Sequence, residues 1–256
     1  MSNLSRDLAL AISPTAFFEA ATGASPDAWQ RQVLASRSRR LLLACCRQAG
    51  KSTVCSVLSL REAMYRPGSL TLMLAPSLRQ SQELFRKTVD AYLALGAPVP
   101  TTSTTSTQIV FENRSRIVAL PGENDATIRG FSSVSLLVID EAARVDDSLL
   151  FAVRPMLAVS RGRLVGLSTP FGRRGWFFNS WTGDEDWHRI RVTWRDVPRL
   201  DPSFIEEERR GMPRLFFSSE YEVEFVDSAD ALFASADIDA AFTPSVRPLL
   251  ERLNDD

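Results

Sequence analysis

Lysine is almost missing from this chain. Among 256 residues and thirty Lys plus Arg, lysine stands only at Lys51 and Lys87, and arginine fills every other basic position. Histidine occurs once, at His188, so a Ser-His catalytic pair has a single candidate and a His-rich metal site has none. The three cysteines, Cys45, Cys46 and Cys55, lie close together without C-x-x-C spacing. That pattern fits small buried side chains in a reduced compartment better than a zinc site or a disulfide, and any metal is expected to be Mg²⁺ on oxygen ligands. A formal net charge of −1 and a pI near 6.0 exclude a global basic field, so nucleic-acid contact has to be local or shared among subunits. No hydrophobic run approaches the ~20 residues a membrane-spanning helix needs, and the segment from Met1 to Arg6 lacks a signal-peptide core. The expectation is an intracellular protein with no membrane partner. With 45% hydrophobic and 24% charged residues, the chain has the composition of a globular protein with one large domain, or one domain and a small appendage.

One of the two lysines sits in the most informative stretch. An apolar run, Leu41 to Ala44, leads through Cys45, Cys46, Arg47, Gln48, Ala49 and Gly50 to Lys51, Ser52 and Thr53, and a helical pattern continues to Tyr65. Strand, glycine turn and helix in this order form a phosphate-binding loop. Backbone N–H groups and the helix N-terminus surround an anion, Lys51 reaches the β- and γ-phosphates of a nucleoside triphosphate, and the Ser52 hydroxyl ligates Mg²⁺. Cys45 replaces the first glycine of the usual pattern. A chain that uses arginine elsewhere and lysine after Gly50 points to a need for a compact point charge there. The alternative is an ordinary glycine turn capping a strand.

Strand and helix patterns alternate along the rest of the chain. Helices are expected at 15–21 and from Pro26 to Leu34, the latter opened by Ser25 as N-cap. Within it, Trp29 and Gln30 can recognise an adenine base or simply belong to a helix that buries Trp29. A strand over 70–75 precedes a helix over 76–95; a Thr/Ser linker over 101–107 leads into a hairpin, 108–111 and 116–120. A polar loop over 121–130 precedes a buried strand, 134–139, that delivers Asp140 and Glu141. Neighbouring residues at a strand end point in different directions, so Asp140 can serve the Mg²⁺ shell while Glu141 addresses a water aligned on the γ-phosphate. A further strand, 163–167, ends at Ser168-Thr169-Pro170, and an aromatic-rich helix follows. The alternation predicts an α/β fold, a mostly parallel sheet flanked by helices with ligands at the carboxyl ends of its strands. A strand over 188–193 and helices over 202–210 and 213–221 are read as a small lid or linker subdomain.

These motifs together resemble the large terminase subunits of tailed bacteriophages, whose ATPase domain powers DNA packaging. Trp29-Gln30 looks like the family's adenine motif, 46–52 resembles its Arg-Gln-x-Gly-Lys phosphate loop, 138–143 its acidic strand, and Ser168-Thr169-Pro170 its coupling motif. The resemblance implies a P-loop NTPase core of the RecA/ASCE type binding ATP and Mg²⁺, with Gln48, Ala49 and Thr53 in the nucleotide-binding loop. It also implies that Arg47 senses the γ-phosphate, that Ser168 and Thr169 report hydrolysis, and that Arg129 serves the neighbouring subunit's ATP. The residue-level alternative for Arg129 is a local pair with Asp125 or Glu123.

The expected organisation is an ATPase core over 1–186 and a lid/linker subdomain with a tail over 187–256, without the family's nuclease domain. The resemblance implies double-stranded DNA, a homo-oligomeric ring, the portal protein and the small terminase subunit as partners. It places the protein in the cytoplasm of the infected host cell and transiently at the procapsid portal. Two other readings stand beside it: a helicase-like DNA-dependent ATPase, and a nucleotide-binding assembly scaffold with little turnover.

Overall fold

The computed structural model describes residues 3–122, 128 and 130–227 of the chain. Its centre is one sheet made of β1 (Arg40–Cys45), β2 (Leu70–Ala75), β3 (Thr101–Thr104), β4 (Gln108–Phe111), β5 (Arg116–Pro121), β6 (Leu136–Asp140), β7 (Arg163–Ser168) and β8 (His188–Val192). The spatial order is β3-β4-β5-β2-β6-β7-β1-β8. From β5 to β8 in that order every pairing is parallel, whereas β3 and β4 run antiparallel at one edge. All residues of β2 and β6 are buried, as are all but the first of β1 and β7. Since successive side chains alternate between faces, both faces of the sheet must be covered, and the strands are accordingly continuous apolar runs.

The covering helices are α1 (Asn3–Ile12), α2 (Pro14–Thr22), α3 (Ala28–Ala35), α4 (Lys51–Tyr65), α5 (Leu78–Ala94), α6 (Asp147–Val153) and α7 (Gly175–Thr182). α4 and α5 pack on each other and on β2 and β5. α7 is seated by Trp176, whose backbone N–H donates to Asp147 Oδ1 at 2.6 Å and whose ring lies over Gly166 of β7. α8 (Pro202–Gly211) and α9 (Arg214–Glu220) close a second, smaller core in which Ile205, Phe217 and Tyr221 meet.

Three expectations from sequence are corrected here. The boundary after residue 186 put β8 with the C-terminal unit, but β8 pairs in parallel with β1 from Leu41↔His188 to Cys45↔Val192, so the core sheet extends past that boundary. The Thr/Ser stretch expected as a linker contributes β3, an edge strand with all four residues exposed. Its β-branched threonines suit an extended edge, and polar side chains there discourage further strand addition. α3 begins after Asp27 rather than Ser25, because Asp27 and Gln30 form a capping box in which Asp27 N–H donates to Gln30 Oε1 at 2.8 Å. Ser25 donates instead to Glu19.

Gly166 is where the sheet admits a close neighbour. A Cβ there would lie 2.9 Å from the Trp176 ring and 3.1 Å from Leu42 Cδ2. We expect Gly166→Ala to lower stability by ~1–3 kcal/mol, the range for overpacking a filled core. Urea unfolding measures it, and an unchanged midpoint would show that the indole has room to move.

Candidate active site

The phosphate loop grows out of β1 with its first residues still in the sheet. Cys45 is the last residue of β1, and Cys46 N–H donates to Val192 O at 2.8 Å. Extended backbone makes no demand for glycine, which accounts for the departure at the first motif position. Burial pushes the thiols of Cys45 and Cys46 up to about 12, so they are neutral packing groups rather than nucleophiles or ligands. The turn itself is made by Gln48 at φ 58° and Gly50 at φ 90°. Gly50 is doubly constrained, because a Cβ would also lie 3.1 Å from Gln30 Nε2 and 3.3 Å from Arg199 Nη2. α4 opens immediately at Lys51, and Ser52 and Thr53 complete its first turn. The N–H groups of that turn have no intrahelical acceptor, so the loop faces the positive end of a fifteen-residue helix.

The register carries the acidic residues to the same place. Ala44 lies opposite Ser168, and Leu167 opposite Asp140, so the ends of β1, β7 and β6 are level. β6 stops at Asp140 because Glu141 turns into the left-handed region, φ 48° and ψ 42°, with its N–H donating to Asp140 Oδ1 at 3.0 Å. That turn directs the Glu141 carboxylate across the strand ends. Glu141 Oε1 lies 3.8 Å from Lys51 Nζ, while Oε2 accepts from Ser168 Oγ at 3.4 Å and lies 3.9 Å from Arg144 Nε. Arg144 is itself seated on the Phe171 ring, 4.1 Å from its centroid. Asp140 is buried, and its carboxyl is pushed up to about 6, first by burial and then by Glu141, with Lys51 opposing.

The structure thus brings together Lys51, Glu141 and Ser168, with Asp140 adjacent. Thr169, next to Ser168, is buried. Arg47 is the exposed cation of the loop and turns to Glu220 at the end of α9, Nε to Oε2 3.6 Å, rather than toward Glu141. Trp29 is a core residue, its Nε1 buried without a partner, so its ring is packed inside and not displayed to a base. Gln30 is buried beside Gly50 with its carbonyl committed to the α3 cap. Arg129 lies outside the described residues.

Sequence reasoning passed over several neighbours. Arg199 donates from Nη2 to Ala49 O at 2.8 Å and pairs through Nη1 with Asp27, tying the phosphate loop to the α3 cap. Glu220 O accepts from Arg47 N–H at 3.0 Å. Both lie more than a hundred residues from the loop, where no local pattern could flag them. Arg144 had a local signal, since it stands three residues after Glu141.

A protein-family model described as terminase large subunit, T4likevirus-type, N-terminal, matches residues 42–240. The chain belongs to that terminase family. It is 26% identical over 259 residues to the terminase large subunit of Thermus phage G20c, an alignment that takes in 87% of this chain and 53% of the relative. The chain therefore spans about half the length of the curated relatives it matches. In solved structures the fold is shared with the large terminase ATPase domain of Thermus phage P74-26, at TM-score 0.73 and 24% identity, covering 83% of this chain and 99% of that one. It is also shared with the large terminase of a thermophilic bacteriophage in complex with ATP-gamma-S, at TM-score 0.59 and 16% identity, covering 82% and 52%. The terminase chain is thus a P-loop NTPase-like mostly parallel sheet with flanking helices. No described helix is long and apolar enough to cross a membrane.

The raised carboxyl of Asp140 has a definite consequence for stability. Between its ordinary 3.8 and about 6 the folded chain keeps a proton that the unfolded chain has released. Stability from this group therefore falls as pH rises through that window, and is level above it. Asp140→Asn removes the dependence. In metal-free buffer the wild type should lose about 2–3 kcal/mol relative to Asp140→Asn between pH 4 and pH 7. Parallel curves in chemical denaturation would mean that Asp140 ionises normally.

Proposed function

We propose that this chain is the ATP-hydrolysing motor portion of a large terminase, coupling hydrolysis to movement of double-stranded viral DNA into a procapsid. The observation that carries the reading is the meeting of Lys51 Nζ and Glu141 Oε1 at 3.8 Å, from the segments that follow β1 and β6, two strands that are not neighbours in the sheet. A glycine turn capping a strand has no need of such a partner. The α4 N-terminus and Lys51 hold the phosphates, and Glu141 polarises the attacking water. The adenine assignment stays with Trp29-Gln30, Gln30 Nε2 lying beside Gly50 and Trp29 packing in the core.

The residues present fit Mg²⁺. Ser52 and Asp140 are oxygen donors, and a buried carboxyl pushed up to about 6 is a group whose charge lacks full compensation. Groups of three or more His, Cys, Asp or Glu able to cage a metal do not occur among the described residues, as suits an ion held largely by phosphate and water. Bound there, Mg²⁺ would neutralise charge on the β- and γ-phosphates.

Support for a reporting role of Ser168 comes from the position of β7 between β1 and β6 and from the contact of the Ser168 hydroxyl with the Glu141 carboxylate. We assign Ser168-Thr169 as the coupling element and Arg47 as the γ-phosphate sensor. Arg129 is assigned to act in trans within a homo-oligomeric ring that engages DNA, the portal protein and the small terminase subunit in the host cytoplasm. Family membership favours the packaging reading over the helicase and scaffold readings.

Glu141→Gln should keep ATP and Mg²⁺ affinity and lose at least ~10²-fold in turnover, since the amide holds water without polarising it. Loss of binding together with turnover, in equilibrium binding and phosphate-release assays, would make Glu141 structural. The trans assignment predicts that Arg129→Ala is inactive alone and regains partial activity when mixed with Glu141→Gln, because mixed neighbours complete a site. A mixture that stays inactive, beside a monomeric wild type with full turnover, would remove Arg129 from that role.

A further inference from the structure

The C-terminal unit grips the phosphate loop at its sensor residue. Arg47 N–H donates to Glu220 O at 3.0 Å, and Arg47 Nε stands 3.6 Å from Glu220 Oε2. The two partners differ sharply in exposure: the Arg47 side chain is 62% accessible and that of Glu220 only 8%. Glu220 ends α9; Phe217 of that helix and Tyr221 just past it stack at 5.2 Å and pack on Ile205. The residues just beyond are wired to the strap from β8 to α8: Trp194 N–H donates to Tyr221 O at 3.1 Å, and Glu222 accepts from Arg195 and Arg209. A change at Glu220 therefore bears directly on α8 and α9.

We propose that Glu220 is a positioning residue, a counter-ion for Arg47 that the γ-phosphate of a nucleoside triphosphate displaces. The proposal rests on the nucleotide-site reading above. A mostly exposed guanidinium held at 3.6 Å through one nitrogen is a weak pair, whereas a terminal phosphate offers a doubly charged acceptor that a guanidinium can grasp in bidentate fashion. Triphosphate binding then draws Arg47 off Glu220 and leaves a buried carboxylate without its cation, an arrangement that favours movement of the end of α9 toward solvent. A diphosphate cannot do this, because nothing occupies the γ position. The difference between triphosphate and diphosphate is thereby delivered to α8 and α9.

The test compares equilibrium affinities for a non-hydrolysable ATP analogue and for ADP, both with Mg²⁺. Glu220→Gln keeps the size of the side chain and removes the competing charge, so it should tighten the analogue by roughly three- to tenfold and leave ADP unchanged. In an Arg47→Ala background the same change should alter neither affinity. A merely structural Glu220 would move both nucleotides together, and would do so with or without Arg47. An unchanged preference for analogue over ADP, a common shift of both, or an effect that survives Arg47→Ala overturns the proposal while leaving the nucleotide site intact. Wild-type chain that binds neither nucleotide, or binds them equally well as Lys51→Ala, overturns the site reading and this proposal with it.

Discussion

An ammonium and two carboxylates held at the mouth of one mostly parallel sheet are what the rest of this structure serves. Lys51 has to stand within reach of Glu141 while Asp140 stays buried beside them, although Lys51 is far in sequence from the acidic pair. Parallel strands solve the placement, since their carboxyl ends share an edge and each is free to end in a different loop. Burying both faces fixes the register, because a slip by one residue would turn every side chain to the other face. The level ends of β1, β7 and β6 follow from that apolar burial, and the charged residues ride on it.

The same arrangement explains the electrostatics. Taking Asp140 out of water beside another carboxylate disfavours its ionised form, and Lys51 alone does not restore it to the ordinary value. An additional positive charge beside Asp140 would favour its ionised form. Lysine suits the centre because a compact, mobile ammonium can serve either the carboxylate or a phosphate. Arginine suits the surroundings, where Arg199 makes a forked contact to Ala49 and Asp27 and Arg144 lies flat on Phe171.

The C-terminal helices depend on this centre in turn. Their own core is small, three buried residues with Trp194, Leu200 and Met212 packed around them. A unit with so little apolar burial has limited local stability, so its contacts with the loop weigh heavily in its position. Arg199 and Glu220 approach the loop from that side, one at a carbonyl and one at a side chain. Ser168 contacts Glu141 from within the sheet. Ser219 of α9 donates to Pro170 O at 2.9 Å, so the same helix touches both the loop and the segment that follows Ser168.

Local chemistry made much of this legible in advance. Leu41 to Ala44 and 136–139 are apolar runs of strand length with polar punctuation, and Gly50-Lys51-Ser52 before a helical period fixes a phosphate loop, because only local φ/ψ and periodicity are involved. The acidic pair could be placed on a strand end for the same reason. What the sequence left open were partnerships across long separations. Trp29 could help recognise a base or simply be buried by its helix, and packing puts it in the core; the pairing of Arg47 with Glu220 had no local signal at all. The assignment of β8 to the sheet, the edge strand at Thr101–Thr104 and the grip of Arg199 likewise depend on which distant backbone or side chain arrives alongside. By itself the sequence determined the central strands, the helix after Gly50 and the chemical groups at the strand ends, since those follow from nearest-neighbour geometry. Which groups face one another was decided by the tertiary structure, because a contact between residues a hundred positions apart is set by the burial of the whole sheet and by nothing local to either residue.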